Sequence, residues 1–280
     1  MRLNKTSPSQ MNIRTIILFF ALFAIANVNP ELLHSSEIHA LLIGDTNDAD
    51  LGRAFNKNLI NVQMELHKAS HNLGFSLHIK TVKGDQVTVK EISNALKELN
   101  PPEDACIWLY ISSHGYRTPK KQTRWPNIQL RNEKVGIAFE KIVEVLALKG
   151  SRFVVAIADC CNNTIPEKSI PLKDITKYQK IKPGKIVKRN YASLFAEPRG
   201  SLVISSSEPS QFSWAYDGYG SIFTLNLLKT LSLEVQQSAG TNWEIVLDTA
   251  KRLTELEVGG DGSGDVQVPQ YEIKYNSLEK

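Results

Sequence analysis

The sequence of 280 residues predicts one α/β domain, built as a three-layer sandwich in which a central sheet of about six mainly parallel strands has helices on both faces. Two observations predict this fold class. Short apolar, β-branched runs alternate with longer stretches of helical spacing, as expected for parallel strands joined by crossover helices. A hydrophobic content of 42% is also sufficient for one ordinary buried core.

The predicted elements follow one another in a regular order. Five apolar runs are short enough and rich enough in β-branched residues to predict buried strands, at 38–43, 75–82, 106–112, 153–158 and 201–205. Helical spacing predicts helices at 51–73, 89–99, 133–148, 221–233 and 243–256. A last extended piece at 268–275 closes the chain.

Two long connections interrupt the alternation, at 115–130 and 162–199. Loops longer than ~12 to 15 residues are uncommon in compact domains unless they are functional or disordered. Both connections follow the C-terminal ends of predicted strands, the edge at which open α/β sheets bind ligands. The sequence therefore predicts the functional site at this edge.

The N-terminus predicts export. Basic residues precede an apolar run at 15–26 that ends in Ala-Ile-Ala, a small-x-small pattern typical of signal-peptide cleavage sites. A run of about 12 residues is shorter than the ~20 that a spanning helix needs, although an uncleaved N-terminal anchor is the alternative. We expect a signal peptide at 1–26, a polar spacer at 27–37 and a periplasmic or secreted product without a membrane partner after signal removal.

Charge and cysteine content exclude two classes of protein. A net charge of +4, from 33 Lys and Arg against 29 Asp and Glu, gives no electrostatic reason to expect a nucleic-acid partner. The three cysteines cannot form a disulfide framework because their number is odd. Cys160 and Cys161 are poorly placed to bridge each other, since adjacent side chains on a strand point to opposite faces. At least one thiol is therefore expected to be free.

Strand parity selects the candidate site residues. Side chains alternate between the two faces of a strand, so Ser112 and His114 share a face at the end of the third strand. By the same alternation Asp159 and Cys161 share a face, and Cys160 points to the other. If these strands are neighbours, an imidazole and a thiol emerge together at the C-terminal edge of the sheet.

A thiol and an imidazole at this edge predict acyl-transfer chemistry. A free thiol with a reference pKa of about 8.5 is only slightly ionised at neutral pH, and a nearby histidine stabilises the thiolate or delivers a proton to a leaving amine. Gly115 allows the backbone to approach a substrate closely. Its N–H, together with that of Cys161, is the expected oxyanion hole.

Segments 109–115 and 154–161 resemble the two catalytic motifs of the caspase and metacaspase superfamily of cysteine peptidases. The interval between His114 and Cys161 matches the ~50 residues by which the histidine precedes the cysteine in caspases. Segments 205–214, 220–228 and 268–271 resemble the strand and binding loop, the helix and the closing segment that follow in this family. The resemblance implies a caspase-like fold and a cysteine endopeptidase domain at 38–278, acting on peptide or protein substrates.

The resemblance also implies a role for individual residues. His114 matches the catalytic histidine and Cys161 the nucleophile. Asp159 matches the carboxylate that lines a pocket for a basic P1 residue in metacaspases, and Ser112 matches a wall of that pocket. Ser206 and Trp214 belong to the segment that resembles the substrate-binding loop. Cleavage after Lys or Arg is therefore expected.

An acidic P1 preference is the alternative. Caspases carry Gln at the position of Asp159, and an Arg after the Ser-Trp pair where this chain has Ala215. An aspartate-selective pocket thus lacks two of its parts. Arg53 is the residue that would stand where caspases place another P1-binding arginine, so acidic specificity stays open.

A catalytically impaired caspase-like interaction module is a further alternative, because Asn162-Asn163-Thr164 follows the nucleophile where metacaspases usually have His-Ser-Gly. No cofactor and no metal are expected. His67 and His71 lie four apart on a helix but are interpreted as part of a solvated face, without an accompanying carboxylate pattern. The aspartates after the first strand, Asp45, Asp48 and Asp50, are interpreted as loop and cap residues.

The 162–199 connection is a candidate self-processing segment. An enzyme that prefers basic P1 residues would find its own substrate beside the nucleophile there. The alternative is a solvated, mobile loop. Its basic residues are Lys168, Lys173, Lys177, Lys180, Lys182, Lys185, Lys188 and Arg189.

Overall fold

A computed structural model describes residues 36–130, 133, 136–163, 183–260, 262 and 264–276. The strands of its central sheet are β1 Glu37–Gly44, β2 Ser76–Lys83, β3 Cys106–Ser112, β7 Phe153–Asp159, β8 Arg199–Ser205 and β11 Gln270–Asn276. They are ordered β11-β8-β7-β3-β1-β2, and every neighbouring pair is parallel except β8 and β11. The C-terminal ends of five strands therefore meet at one edge.

Helices cover both faces of this sheet. Their bounds are α1 Gly52–Leu73, α2 Val89–Glu98, α3 Phe139–Ala147, α4 Lys185–Tyr191, α5 Ile222–Glu234 and α6 Trp243–Gly259. Buried side chains of α1, α4, α5 and α6 pack on one face, and those of α2 and α3 on the other. The predicted three-layer α/β sandwich with a mainly parallel sheet is confirmed.

The two central strands explain why the apolar runs were readable in the sequence. All residues of β3 and β7 are buried, because helices cover both of their faces, and such strands are near-continuous runs of apolar residues. Trp108 of β3 packs against Phe195 and Trp243, with ring centroids 5.4 and 5.8 Å apart. This aromatic group anchors α6 to the centre of the sheet.

Short strands replace parts of the predicted loops and of two predicted helices. They are β4 Gly115–Tyr116, β5 Asn127–Ile128, β6 Ile137–Ala138, β9 Ala215–Tyr216 and β10 Gly220–Ser221. The start predicted at residue 133 for the third helix was wrong. The helix begins at Phe139, because the two residues before it pair with β5.

The second long connection is partly helical. It contains α4 and a π-helical turn, Ala192–Ala196, where the sequence predicted only a loop. The buried hydrophobic residues of α4 are Val187 and Tyr191, which are four positions apart. Residues 164–182 of the connection lie outside the described part of the chain.

The predicted signal peptide at 1–26 also lies outside the described residues, as does the predicted spacer apart from Ser36 and Glu37, the latter being the first residue of β1. Among the helices of the described ranges, none combines the length and the apolar composition needed to cross a membrane.

Candidate active site

The pairing of β3 with β7 brings the two predicted motifs together. Ser112 is the register partner of Asp159, so the residues two positions further on, His114 and Cys161, leave the same edge of the sheet side by side. Gly115 packs directly on the second motif. A Cβ atom there would lie 2.3 Å from the carbonyl oxygen of Cys161 and 2.5 Å from Sγ of Cys160, so only glycine permits this approach.

A carboxylate holds the candidate histidine. Nε2 of His114 lies 3.0 Å from Oδ2 of Asp48, and both side chains are largely shielded from solvent. The edge of the imidazole also packs against the ring of Phe55, with centroids 5.5 Å apart. His114 therefore has a fixed orientation at the end of β3.

Asp48 is itself fixed by the start of α1. Its Oδ1 accepts the backbone N–H groups of Leu51 at 2.8 Å and Asp50 at 3.1 Å. Burial alone would raise the pKa of Asp48, but the hydrogen bond from Leu51 and the charge and hydrogen bond of His114 lower it below its usual value. Asp48 therefore has the loop role interpreted from the sequence, because it closes the turn before α1; the N-cap residue is Leu51, which makes no side-chain cap bond. The contact with His114 adds a role that sequence reasoning missed.

The three cysteines are free thiols in different surroundings. Cys161 is partly exposed, whereas Cys106 and Cys160 are buried. Burial raises the pKa of Cys106 to about 12. Burial, with smaller contributions from the charges of Cys161 and Asp159, also raises the pKa of Cys160 well above its usual value. Cys161 is therefore the thiol that a reagent can reach most readily.

The loop before Trp214 contacts Cys161. The N–H of Ser213 donates to Sγ of Cys161 at 3.4 Å, and the Oγ of the same serine donates to Oδ1 of Asp159 at 3.1 Å. One residue thus links the candidate nucleophile to the candidate specificity residue.

Asp159 is the centre of a buried polar network. It is 2% exposed, and its Oδ2 lies within hydrogen-bonding distance of hydroxyl and amide groups. These belong to Thr224 at 2.6 Å, Tyr110 at 3.0 Å, Asn58 at 3.4 Å and Ser221. Burial and the charge of Asp159 raise the pKa of Tyr110 well above its usual value, so this hydroxyl keeps its proton.

Asn58 ties the predicted pocket wall into the same network. Its Nδ2 donates to Oγ of Ser112 at 2.9 Å and to Oγ of Ser221 at 3.2 Å, and its Oδ1 accepts the N–H of Ser221 at 3.0 Å. Sequence reasoning missed Asn58 and Ser221 because they come from α1 and from β10, far from either motif. The signal in the sequence was a polar residue, Asn58, among the apolar residues on the buried face of α1.

Two other predicted substrate contacts lie deeper. Oγ of Ser206 accepts the N–H of Cys160 at 3.0 Å and donates to its carbonyl at 3.1 Å, which fixes the backbone behind the candidate nucleophile. Trp214 is 4% exposed and packs against Phe212. Their contact with substrate stays a prediction.

The turn after Cys161 is held by the side chain of Asn162. This residue is fully buried, its Nδ2 donates to the carbonyl of Arg124 at 2.8 Å, and its Oδ1 accepts from Arg117 at 3.3 Å. Its own N–H donates to the carbonyl of Gln211 at 3.0 Å. The unusual Asn therefore acts as a structural link between the two long connections.

The remaining candidates from the sequence lie at the surface. Arg53 is 77% exposed and forms an ion pair with Asp217 in the β9–β10 turn. His67 and His71 are both exposed on α1.

Comparison with known proteins agrees with the fold. The family model described as Peptidase_C14, caspase domain, matches residues 38–277. The crystal structure of caspase-1 from Spodoptera frugiperda is similar, with a TM-score of 0.51 and 15% identity over 85% of this chain and 86% of that chain, which shows a shared fold. No curated protein sequence matches this chain.

Proposed function

The chain belongs to the caspase-domain family of cysteine peptidases, and from this premise we propose that it is an exported endopeptidase with a His114 and Cys161 dyad that cleaves after Lys or Arg. The observation that carries the catalytic part is the pairing of β3 with β7, which puts both residues at one sheet edge with Asp48 bonded to the imidazole. Export rests on the N-terminal sequence pattern.

The proposed reaction follows the chemistry of a thiol peptidase. The Cys161 thiolate attacks the carbonyl carbon of the scissile bond. The N–H groups of Gly115 and Cys161 donate hydrogen bonds to the oxygen, which now carries the negative charge. His114 transfers its proton to the leaving amine as the C–N bond breaks, which leaves a thioester on Cys161. His114 then takes a proton from water, whose oxygen attacks the thioester, the C–S bond breaks, and the carboxylic acid leaves with the Cys161 thiolate and protonated His114 restored.

Asp159 supports the basic P1 preference. Asp159 is the last residue of β7, two positions before the nucleophile, and its Oδ1 accepts a hydrogen bond from Ser213, which also contacts Cys161. A P1 ammonium or guanidinium group would replace the Ser213 hydroxyl as the partner of Oδ1. Such a charge-assisted hydrogen bond is stronger than the neutral one it displaces.

Fluorogenic peptides that differ only at P1 test this specificity. We expect wild-type kcat/KM to be at least ~10²-fold higher for Arg and Lys than for Asp or Ala, because a buried charge pair is worth several kcal/mol relative to an unpaired charge. Asp159→Asn removes the charge and replaces one acceptor oxygen by a donor, so it should lose most of that preference. It should also melt below wild type, because hydroxyl and amide donors surround this buried group. Enzyme treated with iodoacetamide is the blank. A preference for P1 Asp would contradict the proposal and favour the acidic alternative through Arg53.

Self-processing within 162–199 follows from the same proposed specificity. Lys185, Lys188 and Arg189 lie in α4, where helical backbone protects against proteolysis, so cleavage is expected N-terminal to α4. Incubated wild-type protein should give two fragments on a gel, and their terminal sequences should map to basic residues between 164 and 183. Cys161→Ala should stay intact. Cleavage of that variant at the same rate would assign the fragments to another protease.

The alternative of an impaired interaction module is favoured by one observation, the Asn162-Asn163 turn. The N–H of Asn162 is bonded to Gln211, and the oxyanion hole would then depend on Gly115 and Cys161. A wild-type protein that labels slowly with iodoacetamide at neutral pH and cleaves no reporter would favour this alternative.

A further inference from the structure

Three side chains of types that can bind a metal ion lie together near the N-terminal ends of β1 and β2, whereas Cys161 lies at the C-terminal ends of the strands. Glu37 and His39 are two residues apart on β1 and therefore point to the same face, and His78 of β2 is the register partner of His39. Oε2 of Glu37 lies 2.6 Å from Nε2 of His39 and 3.4 Å from Nε2 of His78. One ligand atom from each of the three residues fits within a 4.8 Å span.

We propose that Glu37, His39 and His78 bind one Zn²⁺ ion. Two imidazole nitrogens and one carboxylate oxygen form a donor set of tetrahedral zinc sites, in which a water molecule takes the fourth position. Bonds of about 2.0 to 2.2 Å put the ligand atoms of such a site roughly 3.3 to 3.6 Å apart. The separation between Glu37 and His78 already meets this, and the half-exposed His78 ring has room to turn toward the ion.

The surroundings give an ion both access and a suitable charge. His39 and His78 line a cavity of about 280 Å³, together with Lys80, Glu98 and Asn100. The Nζ of Lys80 lies 3.2 Å from Oε2 of Glu98. This pair neutralises the nearest lysine, which would otherwise repel a cation.

The position of the cluster indicates that a bound ion would stabilise an edge strand of the sheet. β2 is the last strand of the sheet order, and the two imidazole rings, 4.5 Å apart, join it to β1 from one face. Zinc coordinated by residues of both strands would cross-link β2 to β1 and oppose the separation of β2 from the sheet. Spacing along the sequence gave no signal, because the two histidines belong to different strands.

The test uses the full chain carrying Cys161→Ala, since a thiol beside His114 is itself a zinc ligand and could also cleave the sample. After EDTA dialysis, titration calorimetry with ZnCl₂ should show one ion per chain. Zinc at 100 times its Kd should raise the melting temperature by roughly 5 to 10 °C. His39→Ala and His78→Ala in this background should bind zinc at least ~10²-fold more weakly, since even indirect partners of a metal contribute 10- to 100-fold.

Replacing His67 and His71 together by Ala is the matched control, because these exposed histidines on α1 are also spaced for one ion. This variant should bind zinc like the parent. Glu37→Gln keeps the size of the side chain and should weaken the tetrahedral Co²⁺ absorption, which tests the site independently if a histidine variant melts early in EDTA. Failure of the parent to bind zinc, or binding that survives His39→Ala and is lost with His67 and His71, would overturn the proposal.

Discussion

Replacing Cys161 by Ala is expected to abolish peptide hydrolysis, with a fall in kcat of at least ~10³-fold, because removal of a nucleophile leaves only binding and oxyanion stabilisation. Cys161 is the partly exposed thiol at the end of β7, with the Ser213 N–H bonded to its Sγ. The measurement is steady-state hydrolysis of a P1 Arg reporter. Mass spectrometry of iodoacetamide-treated wild type should find the label on Cys161.

Cys160→Ala is the matched control for this result. Its thiol is buried on the other face of the strand, and its pKa is raised well above the usual value. Alanine there removes a small buried group and should cost about 1 kcal/mol of stability while kcat stays within a factor of ~3. If Cys160→Ala were inactive and Cys161→Ala active, strand parity would have selected the wrong cysteine.

Replacing Asp48 by Asn is expected to lower kcat by about 10²- to 10⁴-fold with little change in KM, since general acid–base catalysis contributes this much and depends on the orientation and tautomer of the histidine. Asn keeps an oxygen that accepts the N–H groups of Leu51 and Asp50. The turn before α1 is therefore preserved, and the variant should melt only slightly below wild type, through the lost charge interaction with His114. The variant separates the contact with His114 from the hydrogen bonds of the turn.

Two controls distinguish this positioning role from a general charge effect. Asp50→Asn removes the same charge from the same loop at an exposed position and should leave kcat within about a factor of 2. Asp48→Ser keeps a hydroxyl that can accept an N–H in the turn before α1 but is too short to reach His114, so it should resemble Asp48→Asn in kcat. An Asp48→Asn enzyme with wild-type kcat would show that His114 does not need the carboxylate.

The pH dependence of Asp48 has a definite sign. Its pKa is lowered in the folded protein, so its ionised contacts contribute stability above the ordinary value of 3.8, and this contribution is lost as the pH falls through the lowered value. We therefore expect the difference in stability between wild type and Asp48→Asn to be constant at neutral pH and to shrink below about pH 4. Thermal melts across this range measure it.

The sequence was informative where burial is continuous. The central strands β3 and β7 are buried and apolar on both faces, and α1, α5 and α6 carry helical spacing over many residues, so their type and approximate bounds were predictable. The two-residue strands β4 to β6 are too short for any period to appear. α4 was not predicted as a helix, because a segment of seven residues whose buried hydrophobic residues are Val187 and Tyr191 shows too little helical periodicity.

The same limit applies to the candidate site. Parity within a strand was enough to group Ser112 with His114 and Asp159 with Cys161, and the register of β3 and β7 joins the two groups. Asp48 and Asn58 reach the site from other elements, across 66 and 101 positions of sequence to His114 and Asp159. Only tertiary packing brings such partners together, and no local pattern records it.

The two-residue spacing between Asp159, the last residue of β7, and Cys161 also constrains how such an enzyme can diversify. A single inserted or deleted residue between them would turn the thiol to the opposite face, so the strand cannot change length at this point without loss of the nucleophile. Substitution at 159 is tolerated by the backbone, whereas indels are not. New specificities are therefore expected to arise, in evolution or in directed selection, by exchange of side chains around this carboxyl group and by changes in the length of the 206–214 loop.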